Sequence, residues 1–172
     1  EAGCRAVLSW ALKDAEVLCN LLEEQEHAKK CRAISKRLKK QIKQPNGLKQ
    51  AAALMSIAGL MKPEQACSEV ISVDGAKDFS TFYGYYMLQA LAQAGEYQQA
   101  LDIIRQYWGG MLDLGATTFW EDFNLDWIHN AARLDDFVPE GKDDIHGDFG
   151  DYCYPSFRHS FCHGWASGPT PW

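Results

Sequence analysis

The chain has 172 residues, of which 47% are hydrophobic and 23% are charged, and its formal net charge is −6. This balance is typical of a folded globular protein and excludes a disordered one. The sequence contains no apolar run of about 20 residues, so we expect no membrane partner.

Helical periodicity runs through the first two thirds of the chain. Proline, glycine and asparagine residues mark breaks in this periodicity. Six helices are expected, over residues 2–22, about 23–43, 48–60, 63–71, 80–94 and 97–112. Gly95 should end the fifth helix as a C-cap. The very short turn at Gly95 predicts an antiparallel hairpin of the two flanking helices, and the first two helices should form a similar one. The predicted fold class is therefore all-α.

A dense basic segment lies in the second of these helices. Residues 29–43 carry eight lysine and arginine side chains, which could bind nucleic acid. However, Cys31, Ile34 and Leu38 recur among them at spacings of three and four, so the basic side chains form the solvated face of an amphipathic helix. The remaining charge is acidic and opposes such binding, and we expect no nucleic-acid partner.

The cysteines form no Cys-x-x-Cys pair. They are Cys4, Cys19, Cys31, Cys67, Cys153 and Cys162. A chain of this length does not need disulfides to complete its core. Since four of them fall at helical apolar positions, we expect buried thiols rather than a disulfide framework.

The character of the sequence changes at residue 115. Residues 115–160 are rich in Asp, Gly, aromatics and His, with one short helix predicted near 125–132. Such a long, weakly periodic segment is usually functional. It begins with Gly-Ala-Thr-Thr-Phe-Trp-Glu at 115–121, the tryptophan–glutamate motif. It is followed by Ser-Phe-Cys-His-Gly-Trp-Ala-Ser-Gly-Pro at 160–169, the histidine motif. A carboxylate directly after a tryptophan suits carbohydrate chemistry, because aromatic faces stack on sugar rings while the carboxylate handles protons.

In this order, behind helical hairpins, the two motifs resemble the C-terminal half of the catalytic domain of alpha-L-rhamnosidases in glycoside hydrolase family 78. The resemblance implies an (α/α)6 toroid of six antiparallel helical hairpins. This chain would be a single, truncated piece that supplies about half of that ring. Residues 1–114 would form hairpins, and residues 115–172 an active-site loop segment and a following helix.

The resemblance also implies an activity, the inverting removal of terminal alpha-L-rhamnose from rhamnosides or rhamnose-containing polysaccharides. It implies no cofactor, and it favours a periplasmic or secreted location. Inversion needs two carboxyl groups about 6.5–9.5 Å apart. Glu121 matches the family's general base. The general acid has no match in residues 1–114, so we expect it in the missing remainder of the chain, and we expect the 172-residue piece alone to be nearly inactive.

Four further residues are expected to bind the sugar. His163 matches a histidine that contacts it, and Trp120 would help to wall the pocket. Phe119 and Trp165 lie in the same two motifs and are assigned to the pocket with them.

Two patterns in the sequence resemble metal sites, but neither is complete. His159 and His163 would lie one turn apart on a helix, with Cys162 beside them, but no second zinc-ligand pair is evident. Residues 143–151 could hold calcium through carboxylates, but they lack EF-hand spacing, and a solvated acidic loop is favoured. We therefore expect no metal.

Two other functions stay open on the sequence. The helical hairpins could form a non-catalytic carbohydrate-binding or interaction module. They could also belong to another six-hairpin glycosidase, one that acts on uronides or other deoxy sugars.

Overall fold

The computed structural model describes residues 1–41, 44–144 and 160–172. Within these ranges the chain is helical, with no β-strand and a single isolated bridge between Ala131 and Asp143. The prediction of an all-α protein is confirmed. No helix in the described part of the chain is both long and apolar enough to cross a membrane.

The helices follow the predicted periodicity closely. They are α1 (Ala2–Leu21), α2 (Gln25–Lys39), α3 (Lys49–Ile57), α4 (Pro63–Ala66, continued by a π-helical turn at Cys67–Ile71), α5 (Gly84–Gln93) and α6 (Tyr97–Asp113), followed by 3-10 turns at Leu125–His129 and Gly164–Ala166. Gly95 has a φ of 81°, the left-handed conformation expected of a helix-ending glycine. The start of α5 differs from the prediction, because residues 81–83 form a turn.

The chain divides into two compact units. The first contains residues 1–73 and 89–94, and the second contains residues 74–88 and 95–172. Helix α5 thus contributes its first five residues to the second unit and the rest to the first.

Helices α1 and α2 pack side by side in opposite directions within the first unit. Near the start of α1, the hydroxyl oxygens of Ser9 and Ser35 lie 3.2 Å apart in a buried contact. Further along, Arg32 donates to the Glu16 carboxylate over 2.6 Å. The small helix α3 packs against α1 and is almost wholly buried, as its alanine-rich sequence predicts.

The second unit has an aromatic core around α6. The Tyr107 hydroxyl donates to the backbone carbonyl of Phe123 over 2.6 Å, and the two rings meet edge to face at 5.1 Å. Glycine allows close packing here, since a Cβ placed on Gly84 would lie 2.6 Å from the Trp108 ring. The core thereby fixes the segment that follows α6, which carries the tryptophan–glutamate motif.

The prediction of a helix through the histidine motif is wrong for residues 160–169, which the structure describes. His163 is extended, with φ −113° and ψ 100°, and its backbone N–H donates to the carbonyl of Phe119. That bond takes the donor that a helix would use internally. Only one 3-10 turn follows, at Gly164–Ala166.

Candidate active site

The structure brings the tryptophan–glutamate and histidine motifs side by side, running in opposite directions. The Glu121 N–H donates to the Ser160 carbonyl over 2.8 Å, and the His163 N–H donates to the Phe119 carbonyl over 2.8 Å. The Thr118 hydroxyl adds a third bond, to the carbonyl of Phe161. About 40 residues of sequence separate the two segments, so tertiary contacts hold them in register.

Trp120 anchors the first of these segments in the core. Its side chain is 0% exposed and packs edge to face on Phe123 at 6.3 Å and on Phe161 at 5.9 Å. A ring with no accessible surface cannot stack on a sugar. The assignment of Trp120 as a sugar contact is therefore corrected, and its role becomes that of a packing anchor directly before Glu121.

Glu121 is held at its backbone and at its carboxylate. Its side-chain Oε2 accepts the backbone N–H of Ser160 over 2.9 Å. Its backbone carbonyl accepts the hydroxyl of Thr81, a buried residue that comes just before α5. The residue is half-buried, and the bond from Ser160 orients its carboxylate. A fixed and accessible carboxylate is what general-base chemistry needs.

The remaining predicted pocket residues are divided between two surfaces. Phe119 lines an apolar cavity of about 470 Å³ against α6, together with Trp108 and Met111. Trp165 instead lines a groove of about 260 Å³ with aromatic residues at the start of α5. His163 is half-buried and is placed by its backbone bond to Phe119. The structure thus joins the two motifs through their backbones without gathering all their aromatic rings in one cavity.

The groove beside Trp165 is the more exposed of the two surfaces. Trp165 is 74% exposed, and its ring centroid lies 5.8 Å from that of Phe82. Tyr85 and Tyr86 complete the aromatic wall. Solvent-exposed tryptophan beside other rings is a typical surface for stacking on flat or apolar ligand faces.

Sequence reasoning missed two contributors to this region. The sequence pattern predicts that Thr81 lies at the start of a helix, whereas its hydroxyl donates to the Glu121 carbonyl. The same pattern predicts that Phe82 lies within this helix, whereas it lies in the turn before α5, 38% exposed and beside Trp165. The only available signal was the Ser-Thr-Phe sequence before Gly84, which is also common at helix starts.

The described residues contain no group of three or more His, Cys, Asp or Glu side chains that could hold a metal ion. His159, from the zinc interpretation, and most of the acidic loop, from the calcium interpretation, lie outside the described residues. Within the described part of that loop, Asp143 accepts a hydrogen bond from the Asn130 amide over 3.0 Å.

A scan against protein-family models found no match to this sequence, and a search of curated proteins found none either.

Proposed function

We propose that this chain is part of an inverting glycoside hydrolase that removes terminal alpha-L-rhamnose, with Glu121 as the general base. In an inverting reaction the base takes a proton from a water molecule, which attacks the anomeric carbon as a carboxylic acid on the other side protonates the leaving oxygen. The proposed fold of the whole catalytic domain is the (α/α)6 toroid of helical hairpins.

The observation that carries the proposal is the pairing of the two motifs at Glu121. The resemblance to rhamnosidases is most specific in these two motifs, and they lie side by side with a half-buried residue, Glu121, at their junction. The Ser160 N–H donates to one oxygen of that carboxylate, so a water can bind the other. The charge-assisted hydrogen bond from a backbone N–H also fixes the position of the carboxylate.

We propose the following roles for the other residues. Trp120 and Thr81 act as positioning residues, because they hold the backbone on either side of the Glu121 carboxylate. His163 and Phe119 are proposed to contact the sugar, and Trp165 is proposed to bind a more distant part of the substrate. The general acid is proposed to belong to the whole protein outside these 172 residues.

A second candidate function is a non-catalytic carbohydrate-binding module. The exposed aromatic groove at Trp165 and Phe82 favours it, since stacking surfaces alone can bind sugars. This alternative predicts that the whole protein binds rhamnosides and leaves them intact. It assigns no chemical role to Glu121.

The proposal is tested by assaying the natural full-length protein on a panel of aryl glycosides. The panel contains 4-nitrophenyl alpha-L-rhamnoside, the corresponding alpha-L-fucoside and the beta-D-glucuronide. Proton NMR during the first minutes identifies the released anomer. We expect hydrolysis of the rhamnoside, with beta-L-rhamnose as the first product.

Each other outcome contradicts a defined part of the proposal. Release of alpha-L-rhamnose first would mean retention, which excludes Glu121 as a base for direct water attack. Preferential cleavage of the fucoside or glucuronide would assign another six-hairpin glycosidase. Binding without cleavage of any glycoside would favour the module.

A further inference from the structure

The aromatic rings of the groove beside Trp165 meet at steep angles. The Phe82 ring lies 5.8 Å from the Trp165 ring and is tilted from it by 37°. Tyr86 stands at 77° to Phe82, and Tyr85 stands at 80° to Tyr86. These four rings therefore surround one groove of about 260 Å³ from several directions, whereas a platform for flat stacking would have coplanar rings.

The groove is formed by the fold itself, without a ligand. A Cβ placed on Gly168 would lie 2.8 Å from the Cβ of Tyr85, so the segment that carries Trp165 packs closely on the start of α5. Trp165 is nevertheless 74% exposed and Phe82 is 38% exposed. All the residues that line the groove belong to the second unit. The rings are thus held near one another and stay open to solvent.

The groove is uncharged, but it lies in a strongly acidic part of the protein. Its remaining lining residues are Ser167, Gly168 and Pro171, and no described residue that lines it is Lys, Arg, Asp or Glu. The second unit contains fifteen acidic residues and five Lys or Arg residues. Because such a charge distribution raises the local concentration of cations and disfavours anions, the groove is electrostatically complementary to a cation.

We propose that the groove beside Trp165 binds an organic cation of the quaternary ammonium class. The face of an aromatic ring is the negative part of its quadrupole and attracts a cation. A quaternary ammonium has no N–H to donate and methyl groups that pack on rings, so it needs no carboxylate in the groove. A metal ion would need oxygen, nitrogen or sulfur ligands. Glu121 does not line the groove, so the inference does not rest on the proposed hydrolysis.

The test titrates the natural full-length protein with choline chloride by isothermal titration calorimetry. The neutral control is the carbon analogue of choline, in which a tert-butyl group replaces the trimethylammonium group and leaves the shape almost unchanged. We expect saturable binding of choline, and binding of the neutral analogue that is at least about tenfold weaker. L-Rhamnose, which tests sugar stacking in the same groove, should not displace choline.

Two variants locate the binding site. Phe82→Leu keeps an apolar side chain but removes a ring, and it should raise the Kd for choline at least about threefold. Trp165→Ala should raise it further, because tryptophan is the strongest aromatic partner of a cation. Phe137→Leu is the matched control, since Phe137 is 94% exposed in the same unit and does not line the groove. Its Kd should equal that of the wild type.

Four results would overturn the proposal. Choline could show no saturable binding, or the neutral analogue could bind as tightly as choline, which would leave only an apolar groove. An unchanged Kd in both Phe82→Leu and Trp165→Ala would place the cation elsewhere. Displacement of choline by L-rhamnose would assign the groove to sugar stacking.

Discussion

The carboxylate of Glu121 accepts the backbone N–H of Ser160 over 2.9 Å, although 39 residues separate them in sequence. The orientation of the proposed base therefore depends on a segment far along the chain. The backbone bonds on either side, from Glu121 to Ser160 and from His163 to Phe119, make the two motifs one structural element. A change that loosens one motif should disturb the other.

Truncation of Trp120 and truncation of Trp165 should change the free energy of unfolding by very different amounts. Trp120→Ala removes a fully buried ring and should lower the free energy of unfolding by about 3–5 kcal/mol. Trp165→Ala removes a ring that is 74% exposed and should change it by less than about 0.5 kcal/mol. Urea denaturation measures both. Equal losses in the two variants would refute the assignment of Trp120 to the core.

Thr81→Val tests the bond that holds the Glu121 backbone. Valine keeps the shape of the side chain but removes the hydroxyl donor to the Glu121 carbonyl. Because Thr81 is only 4% exposed, we expect a loss of about 1–3 kcal/mol in the free energy of unfolding. Thr117→Val, at an exposed position within the tryptophan–glutamate motif, is the matched control and should be nearly neutral. A neutral result for both would mean that the bond does not stabilise the fold.

Gly168→Ala tests the contact between the end of the histidine motif and α5. A Cβ at Gly168 would lie 2.8 Å from the Cβ of Tyr85 and 3.2 Å from its backbone. The segment would have to move away, at a cost of about 1–3 kcal/mol. At Gly164, in the same motif, a Cβ meets no atom within 4 Å, so Gly164→Ala should have a much smaller effect on the denaturation midpoint. A larger effect at Gly164 would contradict the packing.

The ion pair between Arg133 and Asp135, which follow α6, should make a pH-dependent contribution to the free energy of unfolding. The Arg133 guanidinium lowers the pKa of Asp135, to which it makes two bonds of 2.8 Å. A carboxyl with a lowered folded pKa stabilises the fold above its unfolded pKa of about 3.9, and this is lost as the pH falls through the folded value. The stability difference between wild type and Asp135→Asn should therefore be smaller at about pH 3 than at about pH 7. A difference that stays constant or grows towards low pH would contradict this.

Much of the fold was predictable because helices depend on local sequence. The apolar spacing in α1 and α6 and the glycine at residue 95 marked their bounds within a few residues. The packing of α1 against α2 also follows from two amphipathic helices joined by a short link. These features need no information from distant residues.

The candidate site was harder to predict because long-range contacts decide it. Residues 160–163 carry an apolar spacing that suits a helix, but they form no helix and instead hydrogen-bond to residues 119–121. The aromatic Trp120 looked available for a sugar, but Phe161 covers it from the other motif. Local patterns point to Glu121 as the candidate base, and they do not show which of its neighbours face solvent.

The central claim is that Glu121 activates a water molecule, and the most direct measurement is the kcat of Glu121→Gln on 4-nitrophenyl alpha-L-rhamnoside. It is made in the natural full-length protein against Glu140→Gln, the same substitution at an exposed carboxylate of the same unit. We predict that kcat falls at least about 100-fold for Glu121→Gln and stays within about twofold of wild type for Glu140→Gln. Near-normal turnover by a folded Glu121→Gln variant would contradict the account.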